Sequence, residues 1–488
     1  MDETYSSWTG LIYIFNLIVG TGALTLPSAF LHSGWALGSV LMCILAFVSY
    51  VTATFVVEAM ATGNALINFS KMKQLRQIGR CLDLAQQSAR NQTDSEDESW
   101  GSPSEESPLN LPGSIQNFPS EPLSYYTIDN KVEMGEMAGL FFSQGGRLAF
   151  FLCFTCYLFG DLSIYAAAIG QSLVDAVCLS KNFTDPDDKL CWPDYPYTTL
   201  QAYRVFLFAF LMLFGPFVFF NVQKTKYLQI ATSLTRWLAF SVMITLTVQR
   251  LLNPSLPHNS PSPAVLGGFP ALLSSCVYAF MCHHSLPALL APMRDKRGLQ
   301  RSLVADYTIV LAFYLTLAVP AVFAFPHINP LFSLNFVPAP GDSAELRVAD
   351  YFLILFPVFT LTASFPVISV TLRNNLQSTV SSGRTRLLKF VILPLMAVIP
   401  PVFLAISMPN LEFLVGITGS YAGVGIQYII PAALVLASRK SKPRELAEME
   451  NPFTSPFRHP AWAILVIVWA LVCMTCVTVH IVRSHLHS

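Results

Sequence analysis

Long apolar stretches recur along this sequence and are separated by shorter polar segments. A helix needs about 20 mostly apolar residues to cross the hydrocarbon core of a bilayer. Eleven stretches meet this requirement, and we number them as spans one to eleven: 11–30, 35–62, 147–178, 201–221, 227–251, 266–291, 303–326, 348–371, 387–407, 411–438 and 460–483. The pattern therefore predicts an all-α polytopic membrane protein with about eleven transmembrane helices.

Composition and charge agree with this prediction. The chain has 488 residues, of which 53% are hydrophobic and 12% charged, whereas soluble proteins have about 25% charged residues. The formal net charge is zero, so we expect the lipid bilayer as a partner and no nucleic acid. The segment before Trp8 lacks a basic region followed by a cleavage site, so we expect no removable signal peptide.

Lysine and arginine concentrate in alternate loops, which is typical of the cytoplasmic side. The distribution predicts a cytoplasmic N-terminus. Five segments are then cytoplasmic: 63–146, 222–226, 292–302, 372–386 and 439–459. The chain accordingly divides into spans one and two (1–62), a cytoplasmic loop (63–146), spans three to ten (147–438), a second cytoplasmic loop (439–459), and span eleven with a short tail (460–488). Most of the first loop is expected to be disordered, because residues 83–124 are acidic and rich in serine and proline.

The predicted outside loop after span three has two candidate modifications. Cys178 and Cys191 flank it, and thiols on that side can oxidise, so a disulfide and two free thiols are both open. Asn182 begins an Asn-Phe-Thr sequence that accepts N-glycosylation. Similar sequences at Asn68 and Asn91 fall on the predicted inside and are expected to stay unmodified.

Span one contains residues that favour a broken helix. Two glycines and Pro27 interrupt its apolar run. Broken backbone at membrane depth is tolerated only where it is buried in protein or lines a cavity, and transporters bind substrate and ions there. The second half-helix would direct its amides at a substrate carboxylate. We therefore predict substrate contacts at Asn16, Gly20, Thr21, Gly22 and Ala23. The alternative is a glycine notch for helix packing.

Span six has a second interruption, where Ser275, Tyr278, His283 and His284 precede Pro287. Ser275 and Tyr278 are predicted to contact the substrate. Either histidine could link transport to protons, because imidazole titrates near neutral pH. For His283, a role in hydrogen-bonded helix packing is an equal alternative.

Two further ionisable residues lie inside predicted spans, where such groups are rare and usually functional. Asp161 in span three is expected near mid-membrane, with a proton-linked or bracing role. Arg236 in span five requires a partner, for which Asp161 or a backbone carbonyl could serve.

Several strings resemble a known family. Phe15 to Pro27 is similar to the first helix of the amino acid/auxin permease family, which includes sodium-coupled and proton-coupled amino acid transporters. Phe280 to Pro287 resembles its sixth helix and Gly416 to Pro431 its tenth, although His284 stands where the family often has proline. More narrowly, three strings resemble the transmembrane protein 104 family: Tyr13 to Phe30, Val222 to Ile230 and Thr371 to Asn375.

This resemblance implies a LeuT-like fold, in which spans one to ten form a five-plus-five inverted repeat and span eleven is an extra helix. Spans one and six then correspond, as their interruptions suggest. It also implies a sodium site between the carbonyl of Val19 and the hydroxyls of Thr360 and Ser364, which share a face of span eight. Sodium or a proton is the expected coupling ion, and no other cofactor or metal is predicted.

The sequence thus favours a secondary active transporter of amino acids or similar small zwitterions, sodium- or proton-coupled, working by alternating access. No pairing of nucleophile and base indicates an enzyme. The alternative is a transporter-fold nutrient receptor or scaffold that signals through the 63–146 loop. Asn451-Pro452-Phe453 resembles a motif bound by endocytic adaptors, and Tyr125-Tyr126-Thr127-Ile128 a tyrosine-based sorting signal. These strings favour the plasma membrane or an endosomal or lysosomal membrane.

Overall fold

The computed structural model describes residues 4–93, 125–178, 190–192, 195–220, 226–338, 343–379 and 386–487. Helices make up nearly all of this part of the chain. In order they are α1 (Ser7–Ile18), α2 (Thr21–Ser33), α3 (Trp35–Thr93), α4 (Met134–Phe141), α5 (Gln144–Val177), α6 (Thr199–Phe214), α7 (Lys226–Leu252), α8 (Phe269–Ala279), α9 (Leu286–Leu290), α10 (Leu299–Ala324), α11 (Ala344–Thr379), α12 (Leu393–Ser407), α13 (Leu411–Ile417), α14 (Ile430–Lys440), α15 (Arg444–Ala447) and α16 (Pro460–His487).

The predicted all-α polytopic membrane class is confirmed. Among the described residues, nine helical segments are long and apolar enough to cross a membrane, and the bent pair α1–α2 makes a tenth. The shorter apolar helix, Leu266–Ala279, is the first part of predicted span six. Large apolar side chains such as Phe208, Leu213 and Phe403 are more than 60% exposed on the outer surface, as expected of helices that face lipid. The count of eleven and the inverted repeat stay predictions.

Spans one, six and ten contain the departures from regular α-helix that bear on a site. α1 and α2 meet at an angle of 50°, and six residues separate the end of α8 from the start of α9. Span ten contains two π-helical segments, Thr418–Gly423 and Gly425–Ile429, between α13 and α14. Such π segments occur often at functional sites. The irregular backbone in spans one and six falls where glycine, proline and polar residues predicted it.

The helix of span two, α3, is much longer than predicted. Span two was expected to end at residue 62, but α3 continues to Thr93. The helix continues beyond the predicted span because residues 63–93 are polar yet rich in strong helix formers such as Leu, Gln, Lys and Arg. We call residues 63–93 the α3 extension. The end of the helical bundle from which the α3 extension emerges is called the extension end. The remainder of the predicted disordered stretch, residues 94–124, lies outside the described residues.

Residues 125–133 are also ordered and pack on the α3 extension. The Asn64 side chain donates to the Asn130 carbonyl at 3.1 Å and accepts from the Asn130 amide at 3.0 Å. The Tyr126 hydroxyl donates to the Leu446 carbonyl at 2.9 Å. Burial, and secondarily the charge of Glu58, raise the pKa of Tyr126 above its ordinary value. The phenol therefore remains a donor, and the 63–146 segment is structured at both its ends.

A buried ion pair closes the extension end. Glu58 is 1% exposed, and its two carboxylate oxygens accept from Nε and Nη2 of Arg439, each at 2.8 Å. The amide of Ser455 also donates to this carboxylate at 3.0 Å. Because both oxygens are bonded, the pair ties α3 to α14 and to the segment before α16.

The segment after α5 contains a disulfide between Cys178 and Cys191, one of the two arrangements that the sequence left open. A short antiparallel hairpin follows, with β1 (Leu190–Trp192) paired to β2 (Tyr195–Thr198). Asn182, the predicted glycosylation site, lies outside the described residues. The disulfide stands at the C-terminal end of α5, whereas the N-terminal end of α5 adjoins α4 at the extension end.

Candidate functional site at the helix breaks

The break in span one lies between Ile18 and Thr21. At the end of α1 the amide of Gly20 donates to the carbonyl of Ile18 at 2.9 Å. This acceptor lies two residues earlier in the chain, whereas in a regular α-helix it would lie four residues earlier. α2 then begins at Thr21, and the Ala23 amide donates to the Gly20 carbonyl at 3.2 Å. Val19 caps α1 and its side chain is buried. Among the amides of the second half-helix, which were expected to meet a substrate carboxylate, that of Ala23 therefore already has a backbone partner.

The two glycines of this break have different surroundings. A Cβ atom added at Gly22 would lie 2.6 Å from the Cα atom of Ala279 and 2.9 Å from its amide nitrogen. A Cβ atom added at Gly20 would have no other heavy atom within 4 Å. Gly22 thus lets α2 touch the backbone of α8, as the packing alternative expected. Gly20 is the glycine that faces open space.

The breaks in spans one and six are joined by a tyrosine of span seven. The hydroxyl of Tyr314 lies 2.9 Å from the carbonyl oxygen of Ile18 and 2.8 Å from that of Ala279. These carbonyls belong to the last residues of α1 and α8, where intrahelical donors are missing. One buried phenol therefore links both broken helices, with its single proton shared between the two carbonyl oxygens.

A line of polar contacts runs from α2 to α5 beside the breaks. The Tyr278 hydroxyl donates to Oδ1 of Asp161 at 2.6 Å, and its oxygen is 3.1 Å from Oγ1 of Thr21. Because the single phenolic proton is used on the carboxylate, Thr21 is the donor in the second contact. All three side chains are buried. The structure thus brings together three residues that the sequence singled out separately.

Arg236 reaches the break from α7. Its Nη1 donates to the carbonyl oxygen of Asn16, which is the carbonyl partner left open by the sequence. The Asn16 side chain is 7% exposed, and neither its Nδ2 nor its Oδ1 has a hydrogen-bond partner among the described residues. An unsatisfied buried polar group costs about 1–3 kcal/mol. Asn16 is therefore an unused polar group beside the break.

A small cavity lies against this break and is lined by Gly20, Thr21, Arg236 and Thr360 together with apolar side chains of α2 and α11. Its volume of about 10 Å³ gives room for roughly one water molecule. The Thr360 hydroxyl donates to the Phe356 carbonyl at 2.9 Å. One turn on, the Ser364 hydroxyl donates to the Thr360 carbonyl at 3.1 Å. Both hydroxyl oxygens keep lone pairs.

His283 is fully buried in a second polar cluster. Its Nε2 is 2.9 Å from Oγ1 of Thr52 and 3.1 Å from the Ser49 carbonyl oxygen. Since a carbonyl only accepts, Nε2 carries a proton, and Nδ1 has no partner among the described residues. The side-chain amide of Gln427 donates to the Ser49 hydroxyl. This geometry fits the packing alternative for His283.

The remaining predicted residues lie around these clusters. Ser275 is buried on α8, one turn before Tyr278. The His284 ring packs 5.3 Å from the Tyr157 ring, centroid to centroid. Sequence reasoning missed Tyr314 and Gln427. A tyrosine or glutamine within an apolar span was an available signal, because a buried side chain of either type needs a hydrogen-bond partner.

The two trafficking strings are folded into the extension end. Tyr126 and Ile128 are 2% and 1% exposed, so the 125–128 string is not displayed as a sorting peptide. Asn451 is also buried, and its Oδ1 accepts from the Phe453 amide at 2.9 Å. The Asn451-Pro452-Phe453 string is therefore a local turn.

Comparison with known proteins assigns the class. Residues 3–81 and 125–482 match the family described as transmembrane amino acid transporter protein, and the chain belongs to this family. The part between the matches, residues 82–124, contains the acidic insertion.

The relatives narrow the assignment. The chain is 43% identical to the transmembrane protein 104 homolog of Drosophila melanogaster, over 98% of this chain and 97% of that protein. It is 41% identical to transmembrane protein 104 of Gallus gallus and 40% identical to that of Homo sapiens, each over 99% of this chain and 97% of the relative. The resemblance predicted from the spans is confirmed.

Proposed function

We propose that this protein carries amino acids or similar small zwitterions across its membrane by secondary active transport. Membership of the amino acid transporter family supports the substrate class. The observation that carries the proposal is the pair of helix breaks, which touch at Gly22 and Ala279 and share the Tyr314 hydroxyl. Broken helices that meet in this way place backbone polar groups at a transporter's substrate site.

The substrate carboxylate would meet the amides of Thr21 and Gly22 on the open side of Gly20, at the positive end of the α2 dipole. The side-chain amide of Asn16, which has no partner among the described residues, would form a hydrogen bond with the substrate. Because the cavity holds about one water molecule, substrate entry requires the broken segments to separate. This separation is the alternating-access step in our proposal, with Asp161 as the candidate proton carrier linked to Thr21 through Tyr278.

Purified protein in proteoliposomes tests this proposal. Uptake of labelled amino acids is measured under a proton gradient, a sodium gradient and no gradient. Tyr278→Phe removes the link between Thr21 and Asp161, and we expect it to lower uptake about tenfold or more. Tyr421→Phe is the matched control, because that hydroxyl contacts Thr478 on α16. Absence of gradient-dependent uptake for every amino acid would count against transport, and wild-type uptake by Tyr278→Phe would exclude this site.

We further propose that the extension end is cytoplasmic and that the opposite end faces an oxidising compartment, as it would in the plasma membrane or in an endosomal or lysosomal membrane. The disulfide at the far end of α5 supports this orientation, because disulfides persist in oxidising compartments. Mass analysis of Asn182→Gln checks it: the substitution should remove a glycan. A glycan on Asn68 would contradict the orientation, since Asn68 lies on the α3 extension.

A nutrient receptor or scaffold is the second candidate function. It is favoured by the folded extension end, which adjoins residues 82–124, the stretch that the family match does not cover. Replacing residues 94–124 by a Gly/Ser linker of equal length leaves α3 intact. A transporter should keep its uptake after this replacement. A receptor should lose ligand-dependent partners, which crosslinking before and after the replacement would detect.

A further inference from the structure

We propose that the guanidinium of Arg236 is a built-in cation at the span-one break and takes the place of a coupling sodium ion. The inference deepens the proposed function, because it assigns the charge that stabilises the broken helix.

In an unbroken helix the carbonyl of Asn16 would accept from the amide four residues on, which is Gly20. Here the Gly20 amide donates to Ile18 instead, at 2.9 Å. The Asn16 carbonyl thus loses its helical donor at the negative end of the α1 dipole. Arg236 supplies the replacement through Nη1. A freed carbonyl at a helix C-terminus is a typical ligand for a cation, and in this protein an arginine already occupies it.

The same side chain lines the cavity between the break and α11, together with Gly20 and Thr360. Among the described residues, no carboxylate forms an ion pair with Arg236, so its charge is not cancelled by an acidic partner. A sodium ion about 4 Å from this charge, at an effective dielectric of about 20, would bind on the order of a thousandfold more weakly. The cavity has room for roughly one water molecule, and a dehydrated sodium ion is no larger. The charge of Arg236, rather than a lack of space, therefore disfavours sodium next to Thr360.

Thermal stability in two salts tests the inference without any substrate. The full-length protein in detergent is melted in sodium chloride and in choline chloride of equal ionic strength. We expect the wild-type protein to melt at the same temperature in both. Arg236→Gln should melt several degrees lower in choline chloride and regain part of that loss only in sodium chloride, because the vacated carbonyl can then accept the ion. Arg236→Lys keeps the charge and should show no sodium response.

Arg250→Gln is the matched control. Arg250 lies on the same helix and also donates to a helix-terminal carbonyl, that of Ala324 at 3.0 Å. Its loss should lower the melting temperature equally in the two salts.

Three results would overturn the inference: a sodium-specific rise in the wild-type melting temperature, an Arg236→Gln protein as stable as wild type in choline chloride, and an Arg236→Gln protein that sodium does not restore. If Arg236→Gln cannot be purified, the wild-type and Arg236→Lys proteins decide, and a sodium response in either one contradicts it. These readouts do not depend on transport. A failed search for amino acid uptake would thus reject the proposed function while leaving this test intact.

Discussion

Alanine at Gly22 should destabilise the protein, whereas alanine at Gly20 should not. The added Cβ of Gly22→Ala would lie 2.6 Å from the Cα of Ala279, whereas ordinary contacts begin at 3.4 Å. The obstructing atoms are backbone, so α2 and α8 must separate, which costs about 1–3 kcal/mol. Removing a glycine from the unfolded chain returns about 0.4–1 kcal/mol. The cost of the clash exceeds this gain, and we expect the melting temperature to fall by several degrees.

Gly20→Ala is the matched variant, because the same methyl group meets no other heavy atom within 4 Å. Its φ of −119° lies outside the left-handed region, so the stability should stay close to that of wild type. The methyl group would project beside the cavity, and amino acid uptake per mole of protein should fall. The assay pairs melting curves in detergent with proteoliposome uptake for both variants. A Gly22→Ala protein that melts no lower than Gly20→Ala would refute the reasoning.

Three other substitutions probe the packing around the site. Glu58→Gln should lower the free energy of unfolding, measured by chemical denaturation, by about 3 kcal/mol, because it leaves Arg439 without its counter-charge. The double variant with Arg439→Met should recover much of this loss, and no recovery would argue against a paired charge. Tyr314→Phe should cost about 1–2 kcal/mol in the same measurement, and an unchanged value would show that the two break carbonyls do not need the phenol. Cys178→Ser should remove about 3 kcal/mol and expose the Cys191 thiol to maleimide without reductant, whereas absence of new labelling would mean that the cysteines are not bonded in the membrane.

The location of the helix breaks was predictable because its cause is local. Glycine and proline weaken a helix, and in residues 18–22 and 280–287 they coincide with polar residues. Proline alone was not sufficient, because the prolines inside α2, α10, α11 and α12 leave those helices continuous. The different surroundings of Gly20 and Gly22 were not predictable, because they depend on Ala279, more than 250 residues away. Arg236 illustrates the same limit. The sequence showed that it needs a partner, but the choice between Asp161 and a carbonyl depends on how α7 packs.

The extension end was predicted poorly for a different reason. Hydropathy identifies the part of a helix that lies in lipid, and it is blind to a helix that continues into water. The helix propensities of residues 63–93 were the missed local signal. Tyr126 and Ile128 were a second missed signal, because large apolar side chains in an otherwise polar loop usually pack against another part of the protein. Their partners, including the Leu446 carbonyl, come from beyond span ten.

The length of α3 has a mechanical consequence. At 1.5 Å per residue, its extension projects about 45 Å past the predicted end of span two. A rod of that length converts rotation into displacement. If span two tilts by about 5° as the breaks open and close, the far end of the rod sweeps about 4 Å, which is comparable to the spacing of neighbouring strands in a sheet. The α3 extension would thus carry a change in the angle of span two to its far end, and residues 125–133, which pack on the start of the extension, would move with it.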